Sequence, residues 1–430
     1  MACHKTTPKG VPAGQSGGGG RGFIDLFCGC GGLTLGFQAA GYKCLLAIDS
    51  DEEAIAVHDF NLSRDHSAAR VDDLSEIRTR QDALEYLRRA RVDPRECDVV
   101  VGGPPCQSYS VVGRNKTRAL ARKGTQDREY WRKRNCDRAR LFEVFAAFVE
   151  AIEPRWFLFE NVPAIRSHDA YAELVRRFEG IRVAGGFCYR LTPGNYVASA
   201  LGVPQVRRRF ILVGSRDDID VAWRPPGDYD LVTVGDAIGD LPPVPAGHRK
   251  RLMAYTGDPL SDYQRWARQG AQAVYDHIGR WHNSDDTALF GQMAHGARFA
   301  DPDVQEMLPK ISAEHRLLKY SCTKFKDKLH KLDPTRAAWT VTAHLQKDCY
   351  KFIHHSQPRT ITVREAARLQ SFPDWFRFHD PDGMALEVSM VSSFRLLGNA
   401  VPPLLAQRFA ESFAAADPEL DGPTSAEACP

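Results

Sequence analysis

Short apolar runs alternate with helix-period stretches along most of the chain, and the alternation starts abruptly. Residues 1–21 are rich in Gly, Pro, Lys and Ser and close on Gly17–Gly20, a composition with little to bury, so a flexible leader is expected. At Phe23-Ile24-Asp25-Leu26-Phe27 the pattern turns apolar and enters a glycine cluster, Gly29, Gly31 and Gly32. Leu33–Ala40 then has helical spacing. Lys43–Ile48 reads as a second strand that ends at Asp49, and Glu52–Phe60 as a second helix. Asp98–Val101, Arg155–Phe159 and Phe210–Val213 are further strand-like runs. Leu141–Ile152 puts Leu141, Val144, Phe145, Phe148 and Ile152 on one helical face. Strand, turn and helix in repetition predict an α/β fold with a doubly wound sheet.

From about Ser215 to Lys351 that rhythm fades, Pro225-Pro226 and Pro242-Pro243 break the chain, and a smaller second domain of irregular structure is expected. Thr360–Leu369 reads as helical, and Gly398-Asn399-Ala400-Val401-Pro402-Pro403 precedes another helix. The expected division is a sheet domain from 22–214 and 390–415, a second domain with its framework from 215–389, and a flexible tail from 416–430.

Composition changes this picture little. The chain is 43% hydrophobic and 26% charged, an ordinary globular balance. No apolar run nears the roughly 20 residues of a membrane span, and no secretory h-region stands at the N-terminus, so a cytoplasmic protein is expected. Eleven cysteines without a Cys-x-x-Cys pair argue for reduced thiols and against a zinc site. Net charge is only +3, but Arg114–Arg140 holds eleven Lys/Arg against three Asp/Glu, which suggests an anionic partner for that segment.

The candidate chemistry sits just after strand ends, where open α/β sheets bind ligands. The glycine turn lets a ligand approach the backbone and opens a helix N-terminus to an anion. Its spacing is not the GxGxxG of dinucleotide binding, which excludes a nicotinamide dehydrogenase. Asp49, ending the second strand, can accept ribose hydroxyls. Gly102-Gly103-Pro104-Pro105 holds Cys106 on a stiff loop, and a thiolate is the best side-chain nucleophile near neutral pH. Cys28, Cys30, Cys44 and Cys97 read as buried structural thiols. Glu160, directly after an apolar strand, is expected to be partly desolvated and able to carry a proton. In Gln205-Val206-Arg207-Arg208-Arg209, strand alternation would aim Arg207 and Arg209 the same way, to grip a phosphate or a base carbonyl.

Six fragments in order, DLFCGCGG, GGPPCQSYS, FLFENV, QVRRR, RTITVREAARLQSFPD and GNAVPP, resemble the DNA (cytosine-5)-methyltransferase family of the bacterial type, whose implied setting is a restriction-modification system. The resemblance implies a Rossmann-like S-adenosylmethionine-dependent methyltransferase domain with a smaller irregular target-recognition domain. It implies that Cys106 attacks carbon 6 of a flipped-out cytosine, that Glu160 protonates ring nitrogen 3, and that Arg209, with Arg207 beside it, contacts the base carbonyl. For the cofactor it implies Phe27 near the adenine, Gly29, Gly31 and Gly32 in the turn, Asp49 on the ribose, Asp73 on the adenine amino group and Asn399 on the cofactor side. The implied substrate is a specific double-stranded DNA sequence, met by a monomer close to the nucleoid, with a restriction endonuclease as a separate partner. A tRNA cytosine-5 methyltransferase on the same scaffold is the alternative. The family pattern often has a small residue where Cys28 stands, and Cys28 with Cys30 suggests sensitivity to oxidation.

Overall fold

The computed structural model describes residues 21–63, 68–105, 141–168, 170–219, 223–326, 328–347, 349–379, 386, 388–417 and 420. They form two compact units, the first drawn from 16–197, 208–227 and 405–430, the second from 198–207 and 228–404. Residues 390–404, expected with the sheet domain, group with the second unit, and 208–227 group with the first.

The first unit is built on β1 (Gly22–Leu26), β2 (Lys43–Asp49), β3 (Ala69–Val71), β4 (Val99–Gly102), β5 (Trp156–Asn161) and β6 (Tyr189–Val197). A two-residue strand, β7 (Gln205–Val206), belongs to the second unit, and β8 (Arg208–Arg216) completes the first. The seven-stranded sheet runs β3-β2-β1-β4-β5-β8-β6. Its first five strands are parallel, and β8 is antiparallel to both β5 and β6. β1 and β4 are buried along their whole length. That is why GFIDL and VVVG are nearly continuous apolar runs: a parallel strand is covered on both faces. β6 went unread in the sequence because it lies at the sheet edge. There its side chains are half exposed, and Pro193, which lacks an N–H, is tolerated.

The helix α1 (Gly32–Ala39) follows the glycine turn, and α2 (Glu52–Leu62) follows β2. α3 (Arg80–Ala90) is set by a capping box between Thr79 and Asp82, and it packs beside α4 (Leu141–Ile152). α4 is not one-faced as its spacing suggests, since ten of its twelve residues are buried. The exceptions are Glu143 and Glu150, and Glu150 is gripped by both Nη atoms of Arg177 at 2.6 and 2.7 Å. Phe145, Phe157, Phe159 and Phe178 pack at centroid distances of 5.0–6.0 Å and centre this core. Asp417, expected within a flexible tail from 416, is held in place. Asp417 is buried and takes hydrogen bonds from Arg155 at 2.7 and 2.8 Å and from the Trp156 indole at 2.9 Å.

The second unit is more ordered than its composition suggests. Helices Val234–Ile238, Asp262–Arg268 and Ser284–Gln292 each start at a side-chain cap, Thr233, Ser261 and Asn283. Residues Leu289, Phe290, Phe299, Leu308, Leu329 and Ile353 form a local apolar core. Elsewhere the interior is ionic. Arg359 holds Glu365 at 2.7 and 2.8 Å, and Arg368 holds Asp374 at 2.6 and 2.9 Å while also pairing with Asp240. Glu365 also closes a capping box with Thr362, so the helix predicted from Thr360 starts at Val363.

Candidate active site

The parallel strands bring their carboxyl ends to one edge of the first unit's sheet. After β1, Phe27 and Gly29 adopt left-handed backbone at φ 62° and 56°, and Gly31 at 93°. For Phe27 that conformation is uncommon, and such strain concentrates at functional turns. A Cβ on Gly31 would lie 2.8 Å from Cδ2 of His58, so only glycine fits. A Cβ on Gly29 would meet nothing within 4 Å, so the space above the turn is open. Asp49 holds the turn: its Oδ2 accepts from the Gly29 N–H and its Oδ1 from the Asp51 N–H, both at 2.9 Å. Burial pushes the Asp49 carboxyl above the usual range. Asp72 and Asp73 follow β3 beside Asp49. Asp72 accepts from the Tyr86 hydroxyl at 2.8 Å, while Asp73 is exposed and caps the turn at Ser75.

Beneath the turn lies a chain the sequence did not disclose. Asp25 is fully buried, and its Oδ2 accepts from the Thr34 hydroxyl at 2.7 Å. Thr34 Oγ1 lies 3.0 Å from His58 Nε2. Burial raises the Asp25 carboxyl to about 7 and lowers the His58 imidazole to about 4.

Near the end of β5, the Glu160 carboxylate is 12% exposed and pairs with Arg209, whose Nε sits 2.8 Å from Oε1. β5 and β8 run antiparallel with Asn161 opposite Phe210, which places the two side chains together. The desolvated carboxylate expected from the sequence therefore has a guanidinium neighbour. A Cβ on Gly103 would lie 2.9 Å from Glu160 Oε2, so the glycine lets the loop after β4 pass against the acid. Asn161, buried, donates through Nδ2 to the Pro104 carbonyl at 3.2 Å and fixes that loop. Cys106 is the next residue but one after Pro104. It and the basic segment Arg114–Arg140 lie outside the described residues.

The family model for C-5 cytosine-specific DNA methylase matches residues 22–415. The chain belongs to that family. As a DNA (cytosine-5)-methyltransferase it is 32% identical to the type II methyltransferase M.XorII of Xanthomonas oryzae pv. oryzae, over 89% of this chain and 82% of the relative. It is 30% identical to the type II methyltransferase M.DdeI of Desulfomicrobium norvegicum, over 90% and 87%. Among solved structures, a protein described as a DNA modification methyltransferase encoded within an E. coli prophage superposes with a TM-score of 0.66 at 24% identity, covering 92% of this chain and 99% of that one. The α/β architecture with its mostly parallel sheet is the methyltransferase fold.

Within this methyltransferase the two arginines of QVRRR part company. Arg209 meets Glu160, but Arg207 is buried in the second unit. It donates to the carbonyls of Val341 at 2.7 Å, Ala400 at 2.8 Å and Gly398 at 3.2 Å. The shared face expected from strand alternation fails because β7 ends at Val206. β7 pairs in parallel with Ala338–Trp339, and the chain enters a different sheet at Arg208. Arg207 thereby fixes the Gly398–Ala400 turn, from which Asn399 projects, exposed. Cys28, Cys30 and Cys97 are buried, and burial pushes the Cys28 thiol well above its usual range. Buried thiols of this kind resist oxidation, which argues against the sensitivity expected of Cys28 and Cys30. Among the described residues no cluster of His, Cys, Asp and Glu could hold a metal ion, and no helix is long and apolar enough to cross a membrane.

Proposed function

We propose that the enzyme methylates carbon 5 of one cytosine in a specific double-stranded DNA sequence through a covalent Cys106 adduct, with the base flipped out of the duplex. The observation that carries this reading is the pairing of Glu160 with Arg209 against the Gly103-Pro104 loop that delivers Cys106. The Cys106 thiolate adds to carbon 6 while Glu160 hydrogen-bonds and protonates ring nitrogen 3, so the ring accepts the electron pair. Arg209 orients the carboxylate and reaches the neighbouring base carbonyl. A duplex hides both atoms, which is why the base has to leave the stack. Carbon 5 takes the methyl group, its proton leaves, and the thiolate is eliminated.

The turn after β1 fits S-adenosylmethionine as donor. Space is open over Gly29, α1 has no side-chain cap on its first amides, and the buried Asp25 Oδ1 has no hydrogen-bond partner among the described residues. S-adenosylmethionine supplies an electrophilic methyl group when bound. The free N–H groups that open α1, from Gly32, would receive its carboxylate, Asp49 would accept from its ribose, Phe27 would pack near its adenine, Asp73 would meet the adenine amino group, and Asn399 is a further cofactor residue. Residues 215–389 choose the target sequence, and the basic segment Arg114–Arg140 meets phosphates. The similarity to type II methyltransferases supports a place in a restriction-modification system, with the endonuclease separate and this enzyme a cytoplasmic, nucleoid-associated monomer.

The test uses radiolabelled S-adenosylmethionine with duplex DNA and with tRNA, followed by a duplex carrying 5-fluorocytosine at the methylated position. Label in DNA and a denaturation-resistant protein–DNA complex, absent for Cys106→Ala, is the expected result. Label confined to tRNA, or a complex that survives Cys106→Ala, contradicts it.

A further inference from the structure

The buried chain under the glycine turn carries more polar chemistry than holding a turn requires. Asp25, Thr34 and His58 are all buried, and they come from three elements: β1, the first turn of α1 and the interior of α2. Thr34 donates to Asp25 Oδ2 at 2.7 Å, and its Oγ1 lies 3.0 Å from His58 Nε2. A hydroxyl has one proton to give, so the His58 ring has to carry its own on Nε2 and donate it to Thr34. Burial lowers the imidazole to about 4, which keeps that ring neutral near pH 7. His58 also meets the turn directly, since a Cβ on Gly31 would lie 2.8 Å from its Cδ2. Asp49 ties the start of α2 to Gly29, so His58 is a second tie between that helix and the turn. The two ends of the chain, Asp25 Oδ1 and His58 Nδ1, are buried without a hydrogen-bond partner among the described residues. No cation offsets Asp25 there. β2 faces it with Asp49 and Cys44, the turn with Cys28 and β4 with the apolar Val101, while Asp59 bears on His58.

We infer that Asp25 gives up one proton to solvent when the cofactor binds, and that Thr34 and His58 are the positioning residues that prepare it to do so. The inference rests on the S-adenosylmethionine reading and adds a proton linkage to it. That cofactor brings ammonium and sulfonium charges to a turn whose buried acid has no cation of its own. In a poorly screened interior an added positive charge favours the ionised carboxylate. Burial raises the Asp25 carboxyl to about 7, so near neutral pH there is a proton to release. The His58 N–H polarises the Thr34 hydroxyl that donates to Asp25, which also favours the carboxylate. Losing that N–H makes Asp25 harder to ionise. The sign follows. Below about pH 7 the acid is protonated and binding has to expel the proton, so affinity rises with pH up to that point and is level above it.

The test is isothermal titration calorimetry with the full chain, using S-adenosylhomocysteine and S-adenosylmethionine in two buffers of different ionisation enthalpy, across the range in which Asp25 titrates. S-adenosylhomocysteine keeps the ammonium group and lacks the sulfonium, so the pair separates the two charges. The parent releases close to one proton per ligand on the acid side of about pH 7, and Kd there falls by up to about tenfold per pH unit before levelling. Asp25→Asn releases none, and its Kd does not follow pH. His58→Phe moves the bend to higher pH and weakens binding at neutral pH by about threefold to tenfold. His58→Gln, which can return an N–H to Thr34, restores most of it. Melting temperature reports folding, and Thr34→Val with Thr34→Ser as its rescue replaces the His58 pair if His58→Phe melts early. A parent that binds without releasing a proton, or an Asp25→Asn variant that still releases one, overturns the inference and leaves the cofactor reading intact. A folded His58→Phe with the parent's pH profile overturns the role of His58. A parent that binds neither ligand overturns the cofactor reading itself.

Discussion

In the first unit the interior is mainly apolar, with the buried Asp25–Thr34–His58 chain set into it, and charged groups gather where parallel strands end. In the second, Arg359, Arg364 and Arg368 are fully buried and their carboxylate partners with them. A stacked sheet supplies its own backbone hydrogen bonds, so its few polar side chains are left for chemistry at the strand ends. A unit made of short helices and loops leaves many carbonyls without a ladder partner, and arginine is the side chain that can satisfy several at once. Arg364 shows this by donating to the carbonyls of Tyr275, Pro373 and Phe376. The same residue type thus pairs with an acid near a strand end in one unit and is architectural in the other.

The largest effect expected from this contrast is on rate. Glu160→Gln removes the proton donor and lowers kcat by about 10²–10⁴-fold with an unchanged melting temperature, read by single-turnover methyl transfer. A loss of stability comparable to the loss of rate would put Glu160 among the architectural residues instead. The counterpart in the second unit is Arg368→Ala, which leaves Asp374 and Asp240 buried without their guanidinium. It should cost about 3–5 kcal/mol in a denaturant titration, and a shift below about 1 kcal/mol would break the contrast.

Acid and base should separate the units too, with opposite signs. Burial alone would raise Glu365, but Arg359 and His354 beside it hold it well below the usual carboxylate range. Its contribution to stability is therefore present above the ordinary glutamate range and is lost as pH falls below it. Asp25 is raised to about 7 by burial, so the folded state holds a proton that the unfolded chain releases near pH 4. Its contribution declines as pH rises from about 4 to about 7. Melting curves across that range should flatten for Asp25→Asn, and Glu365→Gln should lose the acid-side dependence. The same sign for both would mean that the buried acids are held alike. The smallest effect is expected at the thiols: Cys28→Ala/Cys30→Ala should match the parent in residual activity after peroxide, because the parent thiols are buried.

What the sequence disclosed follows the same division. The strands β1, β2, β4, β5 and β8 were readable because burial on both faces demands continuous apolar runs, and candidate residues at their ends stood out because Gly, Pro, Cys and Glu there have few structural uses. Asn161 and the Asp25–Thr34–His58 chain were not readable, since their roles depend on partners distant in sequence. The helices of the second unit left a fainter signal. The caps Thr233, Ser261 and Asn283 were in the sequence, but the helices behind them are too short for periodicity to stand out. Arg207 was misread because strand alternation was carried across a point where the chain changes sheets.

The central claim, that Cys106 and Glu160 methylate one cytosine in a DNA sequence of fixed context, is tested most directly by bisulfite sequencing of DNA from cells expressing the parent and Cys106→Ala. The account predicts protected cytosines in one recurring sequence context with the parent and none with the variant. Protection that persists in Cys106→Ala, or a parent that protects no cytosine in DNA, would contradict it.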